Sequence, residues 1–251
     1  MQKIAHPGGK PSPSQGTTAG GENKVDAQRR HIVEIVLWVI GFIVLMVASV
    51  IVHGHPGPWP FDLQTTITLQ HIPYPAWLRT CIDAISHLND PVPAGIALAL
   101  WFVGLAIFRK FRQALFIGLG VTLADWIDFV LNHFVNRPRP SSPLIHVFQP
   151  EPIPSFPSGH TEHDIVYYGF LLYLSFLKPV REWRYYHFLL PLQILAVVIT
   201  FTIGYSRVLE GSHWVTDALA GYLAGALLLM AVIWLYRWTT VKLAERKVKR
   251  S

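Results

Sequence analysis

Cysteine occurs once in these 251 residues, as Cys81. That excludes an intrachain disulfide and leaves the redox compartment open. Charge is also scarce: Asp, Glu, Lys and Arg make up 14% of the chain, against 51% apolar residues. With a mean hydropathy of +0.35, this excludes an ordinary soluble globular domain. An internal repeat is lacking too, which argues against a solenoid or propeller. So is a cleavable signal peptide, because about thirty polar residues precede the first apolar run, which reads as a signal anchor.

What is present is a set of long apolar stretches, near 35–52, 91–108, 114–134, from 161 to about 177, 188–205 and 216–236. Stretches of this length and composition suit bilayer crossing. The fold class predicted is all-α: a six-helix transmembrane bundle over residues 31–240. A Gly-, Pro- and Ser-rich segment over 1–30 reads as a disordered tail, and 241–251 as a basic tail. Five prolines break the loop 53–90, leaving short interfacial helices near 61–70 and 76–88, with Trp59 and Trp77 at headgroup depth.

The formal charge of +6 does not indicate nucleic-acid binding, because the basic residues follow membrane topology. Put both termini in the cytoplasm and alternate through six spans. Every Lys and Arg then falls on the cytoplasmic side except Arg79, Arg137, Arg139 and Arg207. The positive-inside rule favours that orientation in the plasma membrane. Three of the four exceptions lie in polar segments near 132–140, 156–164 and 206–217, all on the non-cytoplasmic face.

These segments carry the residues suited to chemistry. In the last, His213 and Asp217 are four apart and share one face of a helix starting there. A carboxylate so placed accepts the Nδ1 proton of the imidazole and leaves Nε2 free to attack. Arg207 offers a planar fork for phosphate oxygens. In the middle segment, Pro157-Ser158-Gly159-His160 precedes a helix, where free N–H groups and the dipole favour an anion. Gly159 lets backbone approach that anion closely. Asp125, Asp128 and Asn132 share one face of the third span, and ionisable residues inside a span often mark function. The bland alternatives are a capped loop at 206–217, a polar helix–helix contact at Asp125 and Asp128, and acidic residues Glu162 and Asp164 suiting a helix dipole.

Together the segments resemble the type 2 phosphatidic acid phosphatase superfamily. Its signatures are Lys-x6-Arg-Pro, Pro-Ser-Gly-His and Ser-Arg-x5-His-x3-Asp. The second is intact at 157–160 and the third at Ser206, Arg207, His213 and Asp217, while the first has Asn132 in place of lysine before Arg139-Pro140. The resemblance implies His213 as nucleophile, Asp217 holding its ring and His160 as general acid. It also implies Arg139 and Arg207 on the phosphate oxygens, with Ser158 and the Gly159 N–H completing the cradle. Asn132 stands among the phosphate ligands as a neutral donor, with Arg137 or His133 as substitutes for the missing charge. Asp164, four residues after His160, is expected to raise the pKa of that histidine. Asp128 is a further supporting residue.

The implied function is a lipid phosphatase working through a phosphohistidine, with the bilayer and a membrane lipid phosphate as partners and no cofactor or metal. Undecaprenyl diphosphate, phosphatidate and phosphatidylglycerophosphate are the candidate substrates. One rival is a metal-dependent hydrolase with His160, His163, Asp164, His213 and Asp217 as ligands, disfavoured by two arginines that would repel the cation. The other is a lipid phosphotransferase, or a weakly catalytic lipid-binding or transport protein. Head group, monophosphate or diphosphate, and oligomeric state are open at this level.

Overall fold

The computed structural model describes residues 18–148 and 150–249, and among these the regular elements are all helical. Helices α1 (Thr18–Gly54), α2 (Pro60–Gln70), α3 (Ala76–His87), α4 (Pro91–Ile107) and α5 (Phe111–Val135) lead into a long loop. Then come α6 (Gly159–Ser175), the short α7 (Lys178–Arg181), a 3₁₀ turn (Tyr186–Leu189), α8 (Leu190–Leu209) and α9 (Val215–Val248). Prolines stand in the first turn of α2, α4, α7 and α8, where the missing N–H costs no helical bond.

The chain divides into two units, 1–40 and 41–251. In the first, the described residues belong to α1. Its apolar side chains, such as Ile32, Leu37 and Ile40, are more than half exposed, a surface that suits lipid and not water. Of the predicted disordered tail, 1–17 lies outside the described residues, whereas 18–30 is helical. Glu22, Lys24, Ala27, Gln28, Arg29 and Arg30 are good helix formers with no proline among them. At the other end α9 runs to Val248. The predicted basic tail is thus helical through most of its length, and 250–251 lie outside the described residues.

The second unit is built on α5, α6 and α9. Phe116 and Val121 of α5 pack with Val166 and Phe170 of α6 and with Leu228 and Tyr236 of α9. Tyr236 meets Phe116 and Phe170 edge-on, at centroid distances of 5.2 and 5.6 Å, a preferred aromatic geometry. Helix α9 can lie along the first turns of α6 because it presents glycine there. A Cβ at Gly221 would meet the Ser158 carbonyl oxygen at 2.5 Å, and one at Gly225 the Glu162 carbonyl oxygen at 2.8 Å.

This is a multi-pass membrane protein. Four helical segments are long and apolar enough to cross: Asp26–Gly54, Phe111–Val135, Tyr186–Leu209 and Val215–Val248. Helices α3 and α4 qualify together but are bent by 70° at their junction. Six crossings would also need α6, and would use α4 alone. Each has 17 residues, about 25 Å at 1.5 Å per residue against a hydrocarbon layer of about 30 Å.

Candidate active site

Backbone hydrogen bonds draw the three polar segments together. Ser158 N–H donates to the Asp217 carbonyl (3.0 Å) and Ser155 N–H to the Arg137 carbonyl (2.8 Å). The Trp214 indole N–H donates to the Pro138 carbonyl (3.3 Å). Between α8 and α9 the chain turns at Gly211, whose φ is +71° and where a Cβ would lie 2.5 Å from the His146 carbonyl oxygen. Both constraints require glycine.

His213 is almost fully buried. Its Nδ1 lies 2.8 Å from the Ser155 carbonyl oxygen and its Nε2 3.1 Å from Nη1 of Arg139. A carbonyl only accepts and a guanidinium only donates. The proton therefore sits on Nδ1, and the Nε2 lone pair accepts from Arg139. Burial first, then the charges of Arg139 and Arg207, hold the pKa of His213 well below its ordinary value of 6.5. The ring is neutral and nucleophilic at neutral pH.

The expectation that Asp217 takes the Nδ1 proton needs correction, because its Oδ2 is 3.9 Å from that atom. Asp217 instead accepts from Trp214 N–H (2.8 Å) and Arg137 Nη1 (2.5 Å). Being the third residue of α9, it caps the helix's own start, and it supports His213 through the backbone. Arg137 is corrected with it. It does not replace the missing lysine: it is fully buried between Asp217 and Asp62, the latter at 2.7 Å. His133 does not replace it either, since its ring packs tilted against Phe129 and hydrogen-bonds that residue's carbonyl.

Asn132 lines the site, but not as a phosphate donor. Its Nδ2 donates to the Asp128 carboxylate (2.8 Å) and towards the Pro157 carbonyl (3.3 Å), tying α5 to the 157–160 segment. Its Oδ1 is buried without a hydrogen-bond partner. The Asp128 carboxylate presses on Gly159, where a Cβ would lie 2.8 Å from Oδ2. Ser158 is fully buried, and its hydroxyl accepts from Thr161 (3.0 Å). This places it behind the cradle, while Gly159 begins α6 and faces the cavity.

His160 Nε2 is buried without a hydrogen-bond partner and lies 3.6 Å from Asp90. The carboxylate beside it is thus Asp90, at the start of α4, and not Asp164. Asp164 is buried on its own, with one carboxylate oxygen lacking a partner. Successive turns of α6 point 160 and 164 to different surroundings once neighbouring helices are packed on.

Arg139 and Arg207 face one carboxylate. Glu151, in the loop between α5 and α6, pairs with Arg139 Nη2 at 2.8 Å and with Arg207 Nη2. It occupies the place between two guanidinium forks that phosphate oxygens would take. Removing its charge removes a competitor present only in the ground state. Glu151→Gln is therefore expected to lower KM by roughly 3–10-fold with kcat little changed. Initial-rate kinetics with inorganic phosphate as inhibitor check this, and a raised KM would show that Glu151 orients the arginines instead.

Asp90, Glu151, Asp62 and the Ser155 carbonyl are absent from the motif reading. Glu151 had a signal, as the sole acidic residue between α5 and α6, and Asp62 had one, as the sole charge on α2. A backbone carbonyl has none.

Arg139, Asn132, Asp128, His160 and His213 line one cavity of about 410 Å³. Its floor is polar, and one wall is formed by Pro91, Ala94, Gly95 and Leu98 of α4, a surface suited to an amphiphile. The five residues of the metal-site alternative do not converge. His163 pairs with Asp125 at 3.0 Å, and no group of three or more potential ligands is arranged for a metal ion among the described residues.

A family model described as the PAP2 superfamily matches residues 113–241. The chain is 30% identical over 162 residues to Phosphatidylglycerophosphatase B of Bacillus subtilis (strain 168), covering 62% of this chain and 74% of that one. It is 31% identical over 164 residues to Putative undecaprenyl-diphosphatase YbjG of Escherichia coli (strain K12), covering 64% and 75%. Dolichyldiphosphatase 1 of Homo sapiens is 30% identical over 177 residues, covering 67% and 69%. Among solved structures, the transmembrane PAP2 type phosphatidylglycerolphosphate phosphatase from Bacillus subtilis superposes with a TM-score of 0.63. The two are 23% identical, and the match covers 79% of this chain and 94% of that one. Aquifex aeolicus LpxE gives 0.54 at 22% identity, covering 70% and 96%. At these identities the two structures bear on the fold alone.

Proposed function

Because this chain belongs to the PAP2 superfamily, we propose that it is an integral-membrane phosphatase that hydrolyses a lipid phosphate ester or diphosphate through a phosphohistidine on His213. The observation that carries this reading is the fixed tautomer of His213: Nδ1–H on a carbonyl, and an unprotonated Nε2 accepting from Arg139 at the cavity. Nε2 attacks phosphorus, the bond from phosphorus to the leaving-group oxygen breaks, and His160, which takes up a proton from solvent as the phosphate anion binds beside it, gives that proton to the leaving oxygen. His160 then takes a proton from water as the water oxygen attacks. The phosphorus–nitrogen bond breaks, inorganic phosphate leaves, and both histidines return to their starting states.

Phosphoryl transfer spreads negative charge over three oxygens, so preorganised donors supply most of the rate. Arg139 and Arg207 act there, with the first N–H groups of α6, which have no acceptor within the helix. Arg139 is braced for this. Its Nε donates to the Ile153 carbonyl (2.9 Å) and its Nη1 to the Ser212 carbonyl (2.8 Å). The histidine nucleophile and the arginines make a metal unnecessary. The names of the relatives support substrates of the phosphatidylglycerophosphate and polyprenyl diphosphate types. In this reading the chain crosses the plasma membrane six times, with both termini cytoplasmic and the site on the outer face, as the distribution of Lys and Arg supports.

The test is phosphate release by the detergent-solubilised protein from undecaprenyl diphosphate, phosphatidate, phosphatidylglycerophosphate and a soluble phosphomonoester. Release from at least one lipid, unchanged by EDTA, is expected. Release abolished by EDTA would restore the metal-dependent alternative. No release from any lipid would favour phosphotransfer or lipid binding.

A further inference from the structure

The cavity has two chemically unlike sides. On the nucleophile side are His213, Arg139 and, behind Glu151, Arg207. The other side surrounds His160, where an in-line displacement puts the leaving group. Its polar groups there are acceptors. Asp90 Oδ1 is 3.6 Å from His160 Nε2, the atom that delivers the proton. Asp128 presses on Gly159, the residue before His160. Asp125 lies one turn before Asp128 and lines the same cavity. Asn132, which holds the place of the family's lysine, has turned its amide nitrogen onto Asp128 and leaves a buried, unpartnered Oδ1.

The histidines beside these groups leave the character of the wall unchanged. His87 pairs with Asp90 at 2.9 Å and His163 with Asp125 at 3.0 Å, each taking one oxygen of its partner. No lysine or arginine lines this side of the cavity, whose one lining arginine is Arg139.

Resting on the phosphatase reading above, we infer that Asp125 and Asp128, which line the cavity beside His160, form a leaving-group subsite that selects a phosphomonoester with a hydroxyl-bearing neighbour, such as a glycerol or sugar, and rejects a diphosphate. A diphosphate would place a second anionic phosphate against two carboxylates, with its oxygens facing acceptors. Like-charge contacts of that kind serve as the repulsive element of specificity. A hydroxyl instead donates to a carboxylate, and a site built of acceptors disfavours an analogue that leaves them unpaired.

The experiment compares kcat/KM on phosphatidylglycerophosphate, phosphatidate and undecaprenyl diphosphate for the wild type, Asp125→Asn and Asp128→Asn. Asp125 has a mostly exposed side chain, so that variant keeps the test sound if Asp128→Asn folds poorly. The wild type is expected to prefer phosphatidylglycerophosphate over the diphosphate by at least about 10-fold. It is expected to cleave phosphatidate at an intermediate rate. Each variant is expected to narrow the monoester-to-diphosphate ratio by roughly 3-fold or more, mainly by a gain on the diphosphate. Diphosphate cleaved as well as the monoester, or a ratio unmoved by both substitutions while hydrolysis persists, overturns the inference and spares the phosphatase reading. Hydrolysis of no lipid by the wild type overturns both.

Discussion

His213→Asn is expected to lower kcat by at least about 10³-fold, because it removes the atom that bonds to phosphorus. The measurement is a rapid quench with lipid labelled in the scissile phosphate. Wild type should trap an acid-labile, base-stable phosphoryl-protein, and the variant should trap none. A labelled variant, or one losing less than about 10-fold, would remove His213 from the nucleophile's role. The pH dependence follows from the same geometry. The pKa of His213 lies below 6.5 because burial and the neighbouring arginines disfavour its cation. As pH falls through 6.5 the imidazole stays neutral. Protonation of the nucleophile therefore sets in only below that pH, and the acid limb of kcat/KM assigned to this group lies below 6.5.

Arg137→Met is expected to destabilise the protein by about 3–5 kcal/mol, the usual cost of stripping one partner from a buried ion pair. Asp62 and Asp217 would be left buried, with the 2.7 and 2.5 Å contacts to the guanidinium gone. Thermal unfolding in detergent should show a lower Tm, by on the order of ten degrees for a chain of this size. If Tm is unchanged and KM rises instead, Arg137 belongs with the phosphate ligands after all. The expected effect is large because the triad fastens α2 and the loop after α5 to the first turn of α9. Thr216 joins it, giving its backbone N–H to Asp62 at 2.9 Å.

Motif reading reached these two residues differently: it named His213 as the nucleophile, and Arg137 only as a substitute for the missing lysine. Residues 157–160 and 206–217 were legible because their chemistry depends on close spacing along the chain. Arg207, His213 and Gly159 lie where local sequence puts them, at the end of α8, in the turn after it and at the start of α6. The interfacial helices expected near 61–70 and 76–88 also match α2 and α3 closely, since prolines mark their starts. The partners of these groups were not legible. The i,i+4 spacing made Asp217 the natural acceptor for His213, and Asp164 the natural partner for His160. Both inferences assumed that residues sharing a helix face share an environment. Asp217 is instead drawn to Arg137, 80 positions earlier, and His160 to Asp90, 70 positions earlier.

The sequence by itself determined a membrane-crossing chain, helical in the regular elements of its described residues, and the three polar segments, and it proposed His213 as the nucleophile. Hydrophobic length, proline placement and short-range spacing are local properties, present before the chain folds. Only the tertiary structure decided that a Ser155 carbonyl fixes the tautomer, that Arg137 is a buried strut, and that Glu151 sits between the arginines. It also decided that Asn132 gives its amide to Asp128. Those facts depend on which helix packs against which. The packing follows from glycines at 221 and 225 and a shared apolar core, and no spacing along the chain encodes its outcome.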